Sequence, residues 1–171
     1  QRFGVDPTQA GRVSQLALSL YKRLQPEATR EQQRELGWAA ALHEIGMMVS
    51  HHDHHRHSAY LLAHVDAPGF SQSQLCRLAD LVLGQRGGLR KVEEQLADTT
   101  LLDQLVALRL AAILCHARTP TPASPKLQRS GRQLTLRCPK SWSAGQARTR
   151  FLLKEEAEAW ARSGPLTLAI D

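Results

Sequence analysis

Apolar residues recur at helical spacing through the first two thirds of the chain. Asp6-Pro7 places a side-chain cap before a proline in the first turn. Val13, Leu16, Ala17, Leu20 and Leu24 then line one face, and Pro26 ends the run. Thr29 with Gln32 has capping-box spacing, and Leu36, Ala39, Ala40 and Leu42 carry a second helix towards Gly46. A short third helix is predicted over residues 56–65, closed by the turn Asp66-Ala67-Pro68-Gly69. Ser71 with Gln74 repeats the capping box and starts a fourth helix through Leu75, Leu78, Ala79 and Val82, which Gly87-Gly88 break. A weaker helix is predicted over residues 91–96. Residues 101–116 are apolar nearly all round, the pattern of a helix at the centre of a bundle.

The texture then changes. Pro120, Pro122 and Pro125 exclude helix from residues 119–125, which read as a linker. Lys126-Leu127-Gln128-Arg129 and Gln133-Leu134-Thr135-Leu136-Arg137-Cys138 flank Ser130-Gly131, a β-hairpin pattern. Phe151-Leu152-Leu153 suits a short strand or a helix start. Residues 154–162 read as helix up to Gly164-Pro165, and residues 166–170 as a closing strand. The predicted fold is mainly α. A helical bundle spans residues 1–118, and after the linker a small α+β unit with a short antiparallel sheet spans 126–171.

Composition narrows the class. With 171 residues and 42% hydrophobic content the chain can bury a core without metal or disulfide staples. Cys76, Cys115 and Cys138 are odd in number, far apart and without a CxxC pair. This argues against a disulfide scaffold or zinc finger and favours a reducing compartment. No apolar run approaches the roughly 20 residues of a membrane span, and no signal-peptide pattern is read. The expected location is cytoplasmic, at most membrane-peripheral. The chain opens at Gln1 directly into an amphipathic pattern, so it is expected to be a piece of a longer protein. Trp38, Tyr60, Phe70, Trp142 and the Cys115 thiol are expected in the core.

The formal charge of +6 comes from 22 basic against 16 acidic residues, unevenly spread. Residues 1–103 hold 11 basic and 12 acidic residues; residues 104–154 hold 10 basic and no acidic ones. Such a block is expected to attract a polyanion. Two shorter clusters add to it: Arg56 and His57 at the start of the third helix, near its positive dipole end, and Arg86, Arg90 and Lys91 after the fourth.

Six of the eight histidines lie between His51 and His64, just after His43-Glu44. Imidazole and carboxylate are common metal partners. A helix carrying Leu42-His43-Glu44-Ile45-Gly46, a loop and then His57-Ser58 resembles the HD-domain superfamily, with His43, Glu44, His55 and His57 as alternative ligands. The pattern departs from HD sequences: Glu replaces Asp in the pair, Met47 stands where a Lys is usual, and Gln9 occupies the first helix where a histidine ligand is expected. The resemblance therefore implies an HD-like scaffold with no metal centre.

A longer resemblance is to the C-terminal region of the Ppx/GppA phosphatases, the exopolyphosphatases and guanosine pentaphosphate phosphohydrolases. It rests on Arg2-Phe3-x-x-Asp6, Gln9-Ala10-x-Arg12-Val13, Ala40-x-Leu42-His43-Glu44-Ile45-Gly46 and His55-Arg56-His57-Ser58-Ala59-Tyr60-Leu61. It continues through Asp66-x-Pro68-Gly69-Phe70, Leu108-Arg109-Leu110-Ala111 and Leu134-Thr135-Leu136 with Pro139-x-x-Trp142. The run from His55 to Tyr60 is similar to exopolyphosphatases rather than to the guanosine-type enzymes. Leu83-Gly84-Gln85-Arg86-Gly87 departs from the Tyr-His-Arg-Lys type of sequence usual in the family. The resemblance implies an HD-like bundle and a small α+β domain, with catalysis and Mg²⁺ in separate N-terminal domains and no catalytic or cofactor residue in this chain. It further implies binding of inorganic polyphosphate or another phosphate polyanion, through Arg56, His57, Arg86, Arg90 and Lys91, contact with the N-terminal catalytic domains, and a homodimer. The favoured reading is the accessory region of an exopolyphosphatase-type enzyme that releases orthophosphate from polyphosphate ends. The alternatives are the C-terminal region of a guanosine pentaphosphate phosphohydrolase, an autonomous HD-type metal phosphohydrolase and a nucleic-acid-binding module, the last lacking any recognition motif.

Overall fold

A computed structural model describes residues 5–120 and 125–171. Arg2-Phe3 and most of the Pro-rich linker lie outside the described residues. The first helix, α1 (Pro7–Leu24), is capped by Asp6, whose carboxylate accepts from the Thr8 and Gln9 amides. The second, α2 (Arg30–Leu42), carries the reciprocal Thr29–Gln32 capping box. A short 3-10 turn, Ile45–Met48, leads to α3 (His54–His64). The Ser71–Gln74 box opens α4 (Gln72–Gly84). The weaker helix expected over residues 91–96 is instead two 3-10 turns, Arg90–Val92 and Gln95–Ala97. Helix α5 (Thr99–Leu114) starts at Asp98, a side-chain cap, and is buried along almost its whole length, as its uniform apolarity requires.

The third helix starts two residues earlier than predicted. Asp53, at φ 53°, turns the chain in the left-handed region and places His54 and His55 in the first turn. Tyr60 is not in the core. It lies on the outer face of α3, 65% exposed, with its ring stacked on His64 at 4.2 Å. Trp38 and Phe70 are half-buried and meet edge to face, 4.6 Å apart. Cys115 is buried, as expected.

After residue 125 the hairpin forms as β1 (Lys126–Ser130) and β2 (Gln133–Arg137), antiparallel, with Leu127 opposite Leu136. A short helix that the sequence pattern did not predict, α6 (Lys140–Ser143), precedes α7 (Ala147–Ser163). Phe151-Leu152-Leu153 belongs to α7, where only Leu153 of the three points inward. The closing strand β3 (Thr167–Ile170) pairs with β2 in parallel, so antiparallel pairing is confined to the hairpin and the three-stranded sheet is mixed. Parallel pairing needs a crossover, and α7 supplies it. Leu127, Leu134, Leu136, Leu153, Trp160 and Leu168 join the same buried cluster as Leu20, Leu105 and Leu108 of the bundle. Among the described residues no helix is long and apolar enough to cross a membrane.

Candidate polyanion-binding surface

The junction between α2 and α3 is held by side chains bonded to backbone groups. Ser58 Oγ accepts the Gly46 amide at 2.7 Å and donates to the His43 carbonyl at 3.3 Å. Gln85 Nε2 donates to that same carbonyl at 2.6 Å, tying the end of α4 to the junction. The His43 ring is buried, with Nδ1 2.6 Å from the Ala40 carbonyl. Its Nε2 stands 3.9 Å from the Glu44 carboxylate. Arg118 holds that carboxylate at 2.8 Å and Asp6 at 3.0 Å. The Glu44 carboxylate is thus committed to a guanidinium from just beyond α5. Among the described residues no three His, Cys, Asp or Glu side chains are placed to hold a metal ion, and His43, Glu44, His55 and His57 do not converge as a ligand set. His55 is buried, its Nδ1 without a hydrogen-bond partner, while His57 is half-buried on α3.

Arg56, exposed in the first turns of α3, and Arg86, exposed just after α4, each lie close enough to Lys91 for their charges to act on its ammonium. Lys91 Nζ donates to the Arg86 carbonyl at 2.5 Å. Burial pushes the Lys91 ammonium down to about 8, reinforced by Arg109, Arg56 and Arg86. His55, beneath them, is pushed down to about 4 by burial, then by Lys91 and Arg86. Burial likewise lowers His54 and His43. Arg90 is exposed on the adjoining 3-10 turn. Among the described residues none of Arg56, Arg86, Arg90 and Lys91 forms an ion pair with a carboxylate. Lys91 thus lies within reach of the charges of both Arg56 and Arg86, and Arg86 within reach of the buried His54–His55 pair.

These histidines make the fold acid-sensitive. Between about 4 and 6.5 the unfolded chain takes up a proton at His55 that the folded chain refuses, so stability is complete above 6.5 and is lost as pH falls. The urea midpoint is expected to drop across that window, and His55→Gln to flatten part of the drop. A midpoint constant from 6.5 down to 4 would contradict the assigned burial.

The long acid-free segment has a different fate from the one its composition suggests. Four of its arginines bind carboxylates from outside it: Arg109 binds Glu156, Arg118 binds Asp6 and Glu44, Arg129 binds Asp103, and Arg137 binds Asp171. Four of the ten cations of the block are thus neutralised in space. An open groove of about 650 Å³ beside the hairpin is lined by Arg23, Arg129 and Arg137, two of them already paired. Sequence reasoning also missed the Arg109–Glu156 pair, whose partners lie 47 residues apart. The only signal was a charged residue at position 109 inside an otherwise apolar run.

Fold and surface define a mainly α-helical region with a small mixed-sheet unit and a cationic surface beside the α2–α3 junction. The family model described as Ppx/GppA phosphatase, domain III, matches residues 1–157, past the linker and into α7. The chain belongs to the Ppx/GppA phosphatase family. It is 33% identical over 174 residues to a guanosine-5'-triphosphate,3'-diphosphate pyrophosphatase of Photobacterium profundum, covering 98% of this chain and 35% of that protein. A protein of the same name from Vibrio cholerae is 35% identical over 175 residues, again covering 98% and 35%. Another, from Pseudoalteromonas translucida, is 37% identical over 123 residues, covering 68% and 25%. The chain spans about a third of the length of the first two relatives.

Proposed function

We propose that this chain is the accessory, anion-binding region of a hydrolase that cleaves phosphoanhydride bonds, and that it grips runs of phosphate through Arg56, Arg86 and Lys91. The observation that carries the reading is the gathering of these three cations from two separate segments, with no carboxylate paired to any of them. Guanidinium and ammonium groups along one surface bind successive phosphates without demanding a particular remainder of the molecule. His57 and Arg90 flank this surface as further donors.

The names of the relatives make guanosine-5'-triphosphate,3'-diphosphate the first substrate to test for the whole protein. Inorganic polyphosphate, towards which the His55–Tyr60 run leans, is the second. Both present consecutive phosphates. Catalysis and Mg²⁺ are assigned to domains outside this chain, which works in the cytoplasm as part of a homodimer. Arg86→Ala is expected to weaken binding of long-chain polyphosphate about tenfold, the loss of one charge-assisted contact of about 1.4 kcal/mol. Wild-type affinity should fall steeply with added salt and fall again as pH rises through about 8, where Lys91 loses its proton. Binding indifferent to salt and to Arg86→Ala removes this surface from consideration. Tighter binding of RNA than of polyphosphate favours the nucleic-acid alternative.

A further inference from the structure

The segment that presents Arg86 and Lys91 leaves α4 through Gly84 and turns at Gly87, which adopts φ 74°. Leu89 and Val92 anchor it from the apolar side. Its carbonyls are anchored by cations instead. Arg109, 2% exposed on α5, donates from Nη1 to the Gly84 carbonyl at 2.6 Å and from Nη2 to the Gly87 carbonyl at 3.0 Å. Its remaining edge meets Glu156 of α7, with Nε to Oε1 at 2.6 Å and Nη2 to Oε2 at 2.8 Å. Glu156 Oε1 also accepts from the indole of the fully buried Trp160 at 2.6 Å. One guanidinium thus joins the small α+β unit to the loop that carries two of the three surface cations.

We infer that Glu156 is a positioning residue for the anion-binding surface, acting through Arg109 to fix the Gly84 and Gly87 carbonyls and with them the spacing of Arg86 and Lys91. The inference rests on the proposed function of that surface. A planar fork is needed here, because only a guanidinium can meet a carboxylate with one edge and two carbonyls with the other. The carboxylate matters as much as the fork. With Glu156 neutral, Arg109 is a buried cation whose donors are free to reorient, and the loop loses its reference point. Binding strength at the bundle surface then depends on how α7 is seated, a link that no contact between α7 and the ligand is required to make.

The test compares Glu156→Gln, Glu156→Asp and Arg86→Ala in the 171-residue chain, with long-chain polyphosphate as the probe. Glu156→Gln is expected to lower affinity about tenfold. It should also make the slope of log affinity against log salt shallower by roughly one to two units, the counterions displaced by two contacts. Glu156→Asp should restore most of both. Amide exchange of residues 84–91 should quicken in Glu156→Gln while that of α5 holds, a pattern that general destabilisation does not produce. Wild-type affinity and slope in Glu156→Gln, with Arg86→Ala still impaired, overturn the positioning role and leave the surface standing. If wild-type chain itself fails to bind polyphosphate, surface and inference fall together. Should Glu156→Gln not fold, Arg109→Lys keeps the buried charge without the fork and must show the same loss and the same loop exchange, or the inference fails.

Discussion

Replacing Gly46 by alanine is expected to lower stability by about 3 kcal/mol, the upper end of the usual cost of overpacking. A methyl group there would lie 2.2 Å from the His54 carbonyl oxygen, 2.4 Å from the Ser58 amide nitrogen and 2.7 Å from Ser58 Oγ. Two of these neighbours are backbone, so no side-chain rotation relieves the clash. The 3-10 turn and α3 must separate, and separation breaks the Gly46–Ser58 hydrogen bond that joins them. For a chain of this size the change is expected to lower Tm by roughly 6–12 °C. Gly11→Ala is the control. It sits in α1 with nothing within 4 Å of the added carbon, and the substitution should raise stability by up to about 1 kcal/mol. Equal Tm values for the two variants would show that the junction is not packed as described.

That junction also marks how far the sequence could be read. The Leu42–Gly46 and His55–Ser58 motifs were visible as motifs, and their resemblance to a known family was correct. Their meeting was not visible, because a close approach of two backbones leaves no mark beyond a single glycine. Helices α1, α2 and α4 were legible because caps, apolar periodicity and length all pointed the same way at each of them, and α5 because a long run was apolar nearly all round. Tyr60 was misplaced because its position in the helical period, not its size, decides which face it occupies. The pairing direction of β3 was hidden for another reason. A short apolar strand carries no sign of whether its neighbour runs parallel or antiparallel, and the answer lay in the crossover of α7.

The charge pattern gives the sharper lesson. Ten basic residues without an acid between residues 104 and 154 looked like the anion-binding feature. In the fold, Asp6, Glu44, Asp103, Glu156 and Asp171 reach in from elsewhere and neutralise four of them. Arg56, Arg86, Arg90 and Lys91, which form no carboxylate ion pair among the described residues, lie in the segment of balanced composition. Two of those pairs, Arg109–Glu156 and Arg129–Asp103, join the bundle to the small α+β unit, so part of the charged block serves the fold rather than a ligand surface.

Breaking the Arg109–Glu156 pair from one side should have the largest effect of any polar substitution. Glu156→Ala is expected to cost about 3–5 kcal/mol, because it leaves a guanidinium buried without its counter-charge. It also strips Trp160 of its indole acceptor. Exchanging both partners for apolar residues of similar volume, Arg109→Met with Glu156→Leu, removes the stranded charge and should recover part of that loss. Recovery must stop short of wild type. Arg109 also donates to the Gly84 and Gly87 carbonyls, and each acceptor left buried and unpaired costs about 1–3 kcal/mol. The ordering expected from urea unfolding is wild type, then the double variant, then Glu156→Ala. A double variant as stable as wild type would mean that water reaches the two carbonyls once the guanidinium is gone. A double variant less stable than Glu156→Ala would mean that the carbonyl contacts outweigh the ion pair, so that Arg109 serves the fold chiefly as a cap on α4.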